Sequence, residues 1–252
     1  MYDAHNHLQD TRLDAIRDQV IDQMRAAGIT RCVVNGTCPD DWPHVAQLAL
    51  DHPDLIIPSF GLHPWREPTE NWFEELVNYL DSTPNACIGE CGLDRWMQDY
   101  DIKLQTEVFT RHLQLATERN LPISIHCLKA WGPLLDILKS QPLPARGFLL
   151  HSYGGSAELV PQLVDLGAYF SFSGYFLHER KHKTRAAFSH VPSERLLIET
   201  DAPDMLPPEH IITHQLDNQL NHPANLPSIY HAAAQLFDTS RVARNFELFF
   251  GH

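Results

Sequence analysis

Residues 2–8 read YDAHNHL and set His5 and His7 two positions apart on a strand-like run, ahead of any helix. Alternate residues of a strand point to the same side, so both imidazoles can face one interior while Asn6 faces the opposite layer. A doubly wound open sheet would end its first strand in a glycine-rich phosphate loop. This strand ends in histidines.

Outward from that opening the chain repeats one unit. Leu13, Ile16, Val20, Met24 and Ala27 recur at helical spacing over Arg12–Gly28, with Gly28 placed just past the helix end. TRCVVNGT, LIIPSFGLHP, ACIGECGLD, LPISIHC, RGFLLHSYGG, AYFSFSG and RLLIETDAP then read as buried strands that close on polar, Gly or Pro residues. Helix-like segments begin near Asp40, Asn71, Asp101, Ala130, Ser156 and Arg180. Lys103–Arg119 carries Leu104, Val108, Leu113 and Ala116 on one face. With His7, Asn35, His63, Glu90, His126, His151, Gly174 and Asp201 as strand-end markers, the steps are 28, 28, 27, 36, 25, 23 and 27 residues. Eight such units close naturally into a (β/α)8 TIM barrel, an α/β fold expected here as a single domain over residues 1–252. From Ala224 the tail reads as two terminal helices, and the proline-rich APDMLPPEH and NHPANLP fall in a long loop after strand eight.

The composition excludes several classes. A hydrophobic share of 43% without low-complexity tracts is that of a globular chain. The longest run free of both charged residues and His, Leu166–Leu177, falls short of the roughly 20 residues of a membrane span, and no signal-peptide pattern precedes the first strand, so the expected location is cytoplasmic and membrane-free. Cys32, Cys38, Cys87, Cys91 and Cys127 form no CxxC pair and suit reduced, buried thiols. A formal net charge of -13 disfavours broad phosphate neutralisation by a basic surface, although metals can meet a phosphate locally.

The C-terminal ends of barrel strands open onto one face, where catalytic groups collect. Strand one offers His5 and His7, strand four Glu90, strand five His126, strand six His151 and strand eight Asp201. Four imidazoles and two carboxylates form a donor set for two divalent cations such as Zn, Mn or Mg. Singly, a strand-end His is more often structural, and Glu90 or Asp201 could cap a helix; six convergent groups outweigh that coincidence. His63, in GLHP, reads equally as a substrate contact and as a turn residue. Cys91 and Cys127 directly follow ligand candidates, so alternation turns them away. Arg180 and Lys181, in HERKHKTR after strand seven, are candidate contacts for an anionic substrate or simply a solvated helix face, and Arg95 and Lys129 share that status.

DAHNHL, GLHP, IGECGLD, LPISIHC, LLHSYGGS, FSFSG, IETDAPD and NHPANLP together resemble, in order and spacing, the TatD-like metal-dependent hydrolases (the TatD DNase family) of the amidohydrolase superfamily. The resemblance implies a TIM barrel with a binuclear centre that cleaves phosphodiesters, with DNA trimmed from the 3′ end as the usual substrate. Carried over by motif, His5, His7 and Asp201 would hold one metal, His126 and His151 the other, and Glu90 would bridge them. Asp201 would then take the proton of an activated water, and His63 would orient substrate or protonate the leaving oxygen. The pattern departs from the family at His222, usually acidic, and at Asp204, usually aromatic or aliphatic; both lie in the strand-eight loop, where they bear on substrate. Hydrolysis of an amide, ester or lactone in a small metabolite is the alternative chemistry, and a non-catalytic metal-binding protein is the alternative class.

Overall fold

The computed structural model describes residues 1–251. Eight strands alternate with helices: β1 (Tyr2–Asn6), α1 (Arg17–Ala26), β2 (Arg31–Asn35), α2 (Trp42–Asp51), β3 (Ile56–Phe60), α3 (Trp72–Ser82), β4 (Cys87–Asp94), α4 (Ile102–Arg119), β5 (Ile123–Leu128), α5 (Trp131–Ser140), β6 (Phe148–Leu150), α6 (Val160–Asp165), β7 (Ala168–Ser173), α7 (His182–Phe188) and β8 (Leu196–Glu199), followed by α8 (Leu226–Ala234) and α9 (Val242–Phe250). All seven ladders from β1–β2 to β7–β8 are parallel and run in sequence order. The ring closes at β1 and β8 through single backbone bonds: Asp201 N–H donates to His5 O at 3.0 Å and His7 N–H to Ala202 O at 2.7 Å. Buried Asp3 reinforces the closure by accepting from Thr200 N–H at 2.9 Å and from Thr200 Oγ1 at 2.6 Å. The chain is a (β/α)8 barrel, and among its described residues no helix is long and apolar enough to cross a membrane.

Inside the barrel, Ala4, Val33, Ile57, Cys87, Leu149, Tyr169 and Leu197 pack with Phe246, Phe249 and Phe250 of α9 into an apolar floor. Because side chains alternate, polar residues two positions further along the strands share that interior at the other end: His151 beyond Leu149, and Glu199 then Asp201 beyond Leu197. On β1 a register shift between Asp3 and Asn6 interrupts the alternation. It lets Asn6 turn back to Asp3, donating to Oδ2 at 3.1 Å, while His5 and His7 face the interior.

Two local readings change. The first helix starts at Arg17 rather than Arg12, because Asp10 accepts from Arg12 N–H and tightens Thr11–Leu13 into a 3-10 turn. Leu104 leaves the apolar face of α4: Val108, Leu113 and Ala116 are buried, but Leu104 is exposed at the mouth of the barrel. The longest of the even steps, from Glu90 to His126, holds the 18-residue α4 and the loop Arg95–Asp101 that precedes it.

His112, fully buried on α4, anchors the chain after β3. It accepts from Leu62 N–H at Nε2 (3.1 Å), donates from Nδ1 to Val108 O (2.8 Å) and stacks on Trp72. Burial pushes its pKa down from 6.5 to about 4. The unfolded chain therefore binds this proton first: stability is complete above pH 6.5 and declines as pH falls toward 4, by about 3 kcal/mol for this one group. Denaturant titrations of wild type and His112→Gln should differ in slope by one proton in that window; identical pH profiles would remove His112 as the cause.

Candidate metal centre

Glu90 lies midway along β4, which is buried throughout, at the centre of the mouth. Its two oxygens divide the surrounding imidazoles. Oε2 lies 3.4 Å from His5 Nε2 and 3.3 Å from His7 Nε2. Oε1 lies 2.7 Å from His151 Nε2, 2.9 Å from His126 Nδ1 and 3.4 Å from His63 Nε2. Asp201 Oδ1 completes the first side, 3.7 Å from His5 Nε2 and 3.5 Å from His7 Nε2. Strands β1, β4, β5 and β6, with the ends of β3 and β8, thus bring His5, His7, His63, Glu90, His126, His151 and Asp201 together. Glycine makes this convergence possible at two points. Gly61 lies against the Glu90 backbone, where a Cβ would sit 2.6 Å from Glu90 O, and Gly92 (φ +147°) lies against β5, where a Cβ would sit 2.0 Å from His126 O.

Each ring is aimed from outside. His7 Nδ1 donates to Asn35 O at 2.7 Å, and His5 Nδ1 pairs with Ser124 Oγ at 3.0 Å. His126 Nε2 donates to Asp94 Oδ2 at 2.8 Å. Asp94 is itself held: Trp96 N–H donates to its Oδ1 at 2.6 Å, Trp65 Nε1–H to its Oδ2 at 2.8 Å, and the Gln105 amide brackets its backbone. His151 Nδ1 stands 3.7 Å from Glu199 Oε1, whose carboxylate accepts from Ser152 and Ser171. This is the outer support that fixes tautomer and direction at metal-ligating histidines. His5, His7, His126 and His151 are left with one nitrogen each pointing inward.

Burial opposes charge on every ring, and the carboxylates decide the result. His7 stays well above the ordinary pKa because its bonds to Asp201 and Glu90 outweigh burial. His151 is also held well above it, by the charge of Glu90 and the Glu199 carboxylate nearby, and His126 is raised by Asp94 and Glu90. His5 goes down, through burial and the charge of His151. Burial alone would raise Glu90, but His151 and His63 hold it well below the carboxylate range. His63 is pushed down to about 4 by burial. It accepts from Trp65 N–H at Nδ1 (3.1 Å), so the neutral ring carries its hydrogen on Nε2, toward Glu90.

The residues fit a divalent cation. His5 Nε2 and His7 Nε2 face each other at 3.3 Å, as do His126 Nδ1 and His151 Nε2. Among the described residues, three groups have donor atoms close enough to hold a metal: His5, His7 and Glu90; His63, Glu90 and His126; and His5, His151 and Glu199. Imidazole and carboxylate donors suit Zn or Mn.

Residues 2–247 match the family described as TatD related DNase. The chain belongs to that family. Among TatD relatives, the 3'-5' ssDNA/RNA exonuclease TatD of Erwinia tasmaniensis is 30% identical over 241 residues, covering 94% of this chain and 92% of the relative. The uncharacterized metal-dependent hydrolase YabD of Bacillus subtilis is 30% identical over 243 residues, covering 94% and 91%. The crystal structure of YJJV, a TatD homolog from Escherichia coli, shares the fold at a TM-score of 0.90 and 24% identity over 100% of this chain and 98% of that one.

His222 and Asp204, in the loop after β8, both make structural contacts. Asp204 accepts two bonds from the Arg12 guanidinium, which also grips Asp10. His222 accepts from Ala224 N–H at Nδ1 and pairs with Gln23 Oε1 at 2.7 Å, capping the turn before α8. The four candidate cations form no hydrogen bond or ion pair with the cluster among the described residues. Arg180 and Lys181 lie over the Tyr175 ring, Arg95 donates to Tyr100 Oη, and Lys129 is exposed. Asp94 and Glu199 were missed. Their signal was parity, since Asp94 lies four residues beyond Glu90 and Glu199 two before Asp201.

Asp94→Asn removes the charge behind His126 while keeping its shape. Divalent-cation affinity should drop about 10–100-fold in competition with a chromophoric chelator; unchanged affinity would mean that Asp94 does not orient a ligand.

Proposed function

We propose that this TatD-family hydrolase is a phosphodiesterase that removes nucleotides from the 3′ end of single-stranded DNA or RNA, using two divalent cations, Zn, Mn or Mg. One observation carries the two-cation reading: Glu90 turns Oε2 to His5 and His7 and Oε1 to His126 and His151. A carboxylate divided in this way suits a bridge, with His5, His7 and Asp201 holding one cation and His126 and His151 the other. The substrate class is supported by the relatives named 3'-5' ssDNA/RNA exonuclease, four of them 30% identical over nearly the whole chain.

Bound there, the cations would supply Lewis acidity at a phosphoryl oxygen and lower the pKa of a water. Everything else falls to side chains. Asp201, 8% exposed at the rim, accepts the proton and passes it to solvent. His63 donates a hydrogen bond from Nε2 to a phosphoryl or leaving oxygen. Asn35, Ser124, Asp94 and Glu199 keep the rings aimed, so little reorganisation is needed as charge develops. With a net charge of -13, the attraction for phosphate is concentrated at this centre rather than spread over the surface.

Metal-loaded protein should shorten 5′-labelled single-stranded DNA and RNA in a ladder from the 3′ end, and a chelator should abolish the ladder. Asp201→Asn should lower kcat about 10²–10⁴-fold. Intact oligonucleotides after incubation with fully metal-loaded wild type would overturn the proposal.

A further inference from the structure

The metal centre opens on one side into a shallow groove with a cavity volume of about 160 Å³. His63 of the cluster forms its inner wall, and Trp65, Met97, Tyr100 and Leu104 continue it outward. Large apolar side chains are exposed here side by side: Trp65 by 49%, Trp96 by 57%, Met97 by 39% and Tyr100 by 37%. Contiguous exposed aromatic surface next to a reactive centre marks a contact for something.

Trp65 is a fixed ring, not a loose one. Its Nε1–H is spent on Asp94 Oδ2, and its ring packs edge-on to His63 at 4.8 Å and His126 at 6.3 Å between centroids. It is therefore tied to the same carboxylate that aims His126, with half of its surface left to solvent. Trp96 stands beside it, 6.4 Å away at 33°. Arg66 lines the groove and Arg95 lies at its rim over Tyr100, so cations flank the aromatic faces.

We propose that Trp65 and Trp96 form a stacking platform for the base of the nucleotide whose phosphate lies at the metal centre. The proposal rests on the phosphodiesterase reading and adds to it the means by which an acidic protein grips nucleic acid. Any base has a π face, so stacking gives affinity without sequence choice, which suits an enzyme that trims successive nucleotides. Reach also matches: the platform begins one residue beyond Pro64, against the cluster's own His63, where a base one sugar away from a bound phosphate would lie.

The test is equilibrium binding of thymidine 5′-monophosphate and of 2-deoxyribose 5-phosphate to the metal-loaded full chain, by calorimetry and by tryptophan fluorescence. The two probes share the phosphate and differ in the base. Wild type should bind the nucleotide about ten-fold more tightly and with quenched fluorescence. Trp65→Ala and Trp96→Ala should each bring the ratio close to one, and in Trp96→Ala, which keeps the backbone bond to Asp94, the sugar phosphate should bind as in wild type. Trp65→Phe, which keeps a ring but drops the bond to Asp94, should retain most of the preference; its loss there would mean that Trp65 acts through Asp94 and not by stacking. Equal binding of both probes by wild type, binding of neither, or an undiminished ratio in the alanine variants would overturn the platform. A failure of the phosphodiesterase reading would register separately, as oligonucleotides left uncut.

Discussion

The mouth of the barrel is organised by one buried carboxylate meeting five imidazoles. Glu90 is 3% exposed, and a charge so placed is costly unless it is paired on all sides. The pairing comes from four other strands or strand ends, so it exists only once the barrel is closed. Every neighbour answers to this constraint. The histidines face inward because their outer nitrogens are engaged by Asn35, Ser124 and Asp94 or stand beside Glu199, and the backbone can approach Glu90 and His126 because Gly61 and Gly92 carry no Cβ.

Closure sets who meets whom. The β1–β8 seam is made by two backbone bonds and the Asp3–Thr200 pair, and it sets Asp201 beside His5 and His7, more than 190 residues away in the chain. Below the seam, α9 fills the barrel floor with Phe246, Phe249 and Phe250. Stability and chemistry thus occupy opposite ends of one interior, separated by strand alternation.

The fold was legible because a parallel barrel writes its unit eight times, and strands buried on both faces stand out as apolar runs. The convergent groups were legible because they close those runs. Other features depend on contacts that no local pattern carries. Asp94 and Glu199 look like ordinary strand-end carboxylates until the partners behind them are seen. Trp65 reads as a turn aromatic after HP, and only its bond to Asp94 ties it to the centre. Leu104 keeps helical periodicity but lies where the Arg95–Asp101 loop leaves α4 uncovered. Arg12 could not be separated from the first helix by spacing, because the break comes from Asp10. His222 and Asp204 likewise acquire roles only in the structure, one capping a turn and the other binding Arg12.

On the proposed function, Glu90 is shared between two cations. Anomalous diffraction from crystals of the metal-loaded protein tests it directly. Two peaks flanking the Glu90 carboxylate are predicted, one against His5, His7 and Asp201 and the other against His126 and His151. A single peak, or peaks that leave one Glu90 oxygen without a metal, would contradict it.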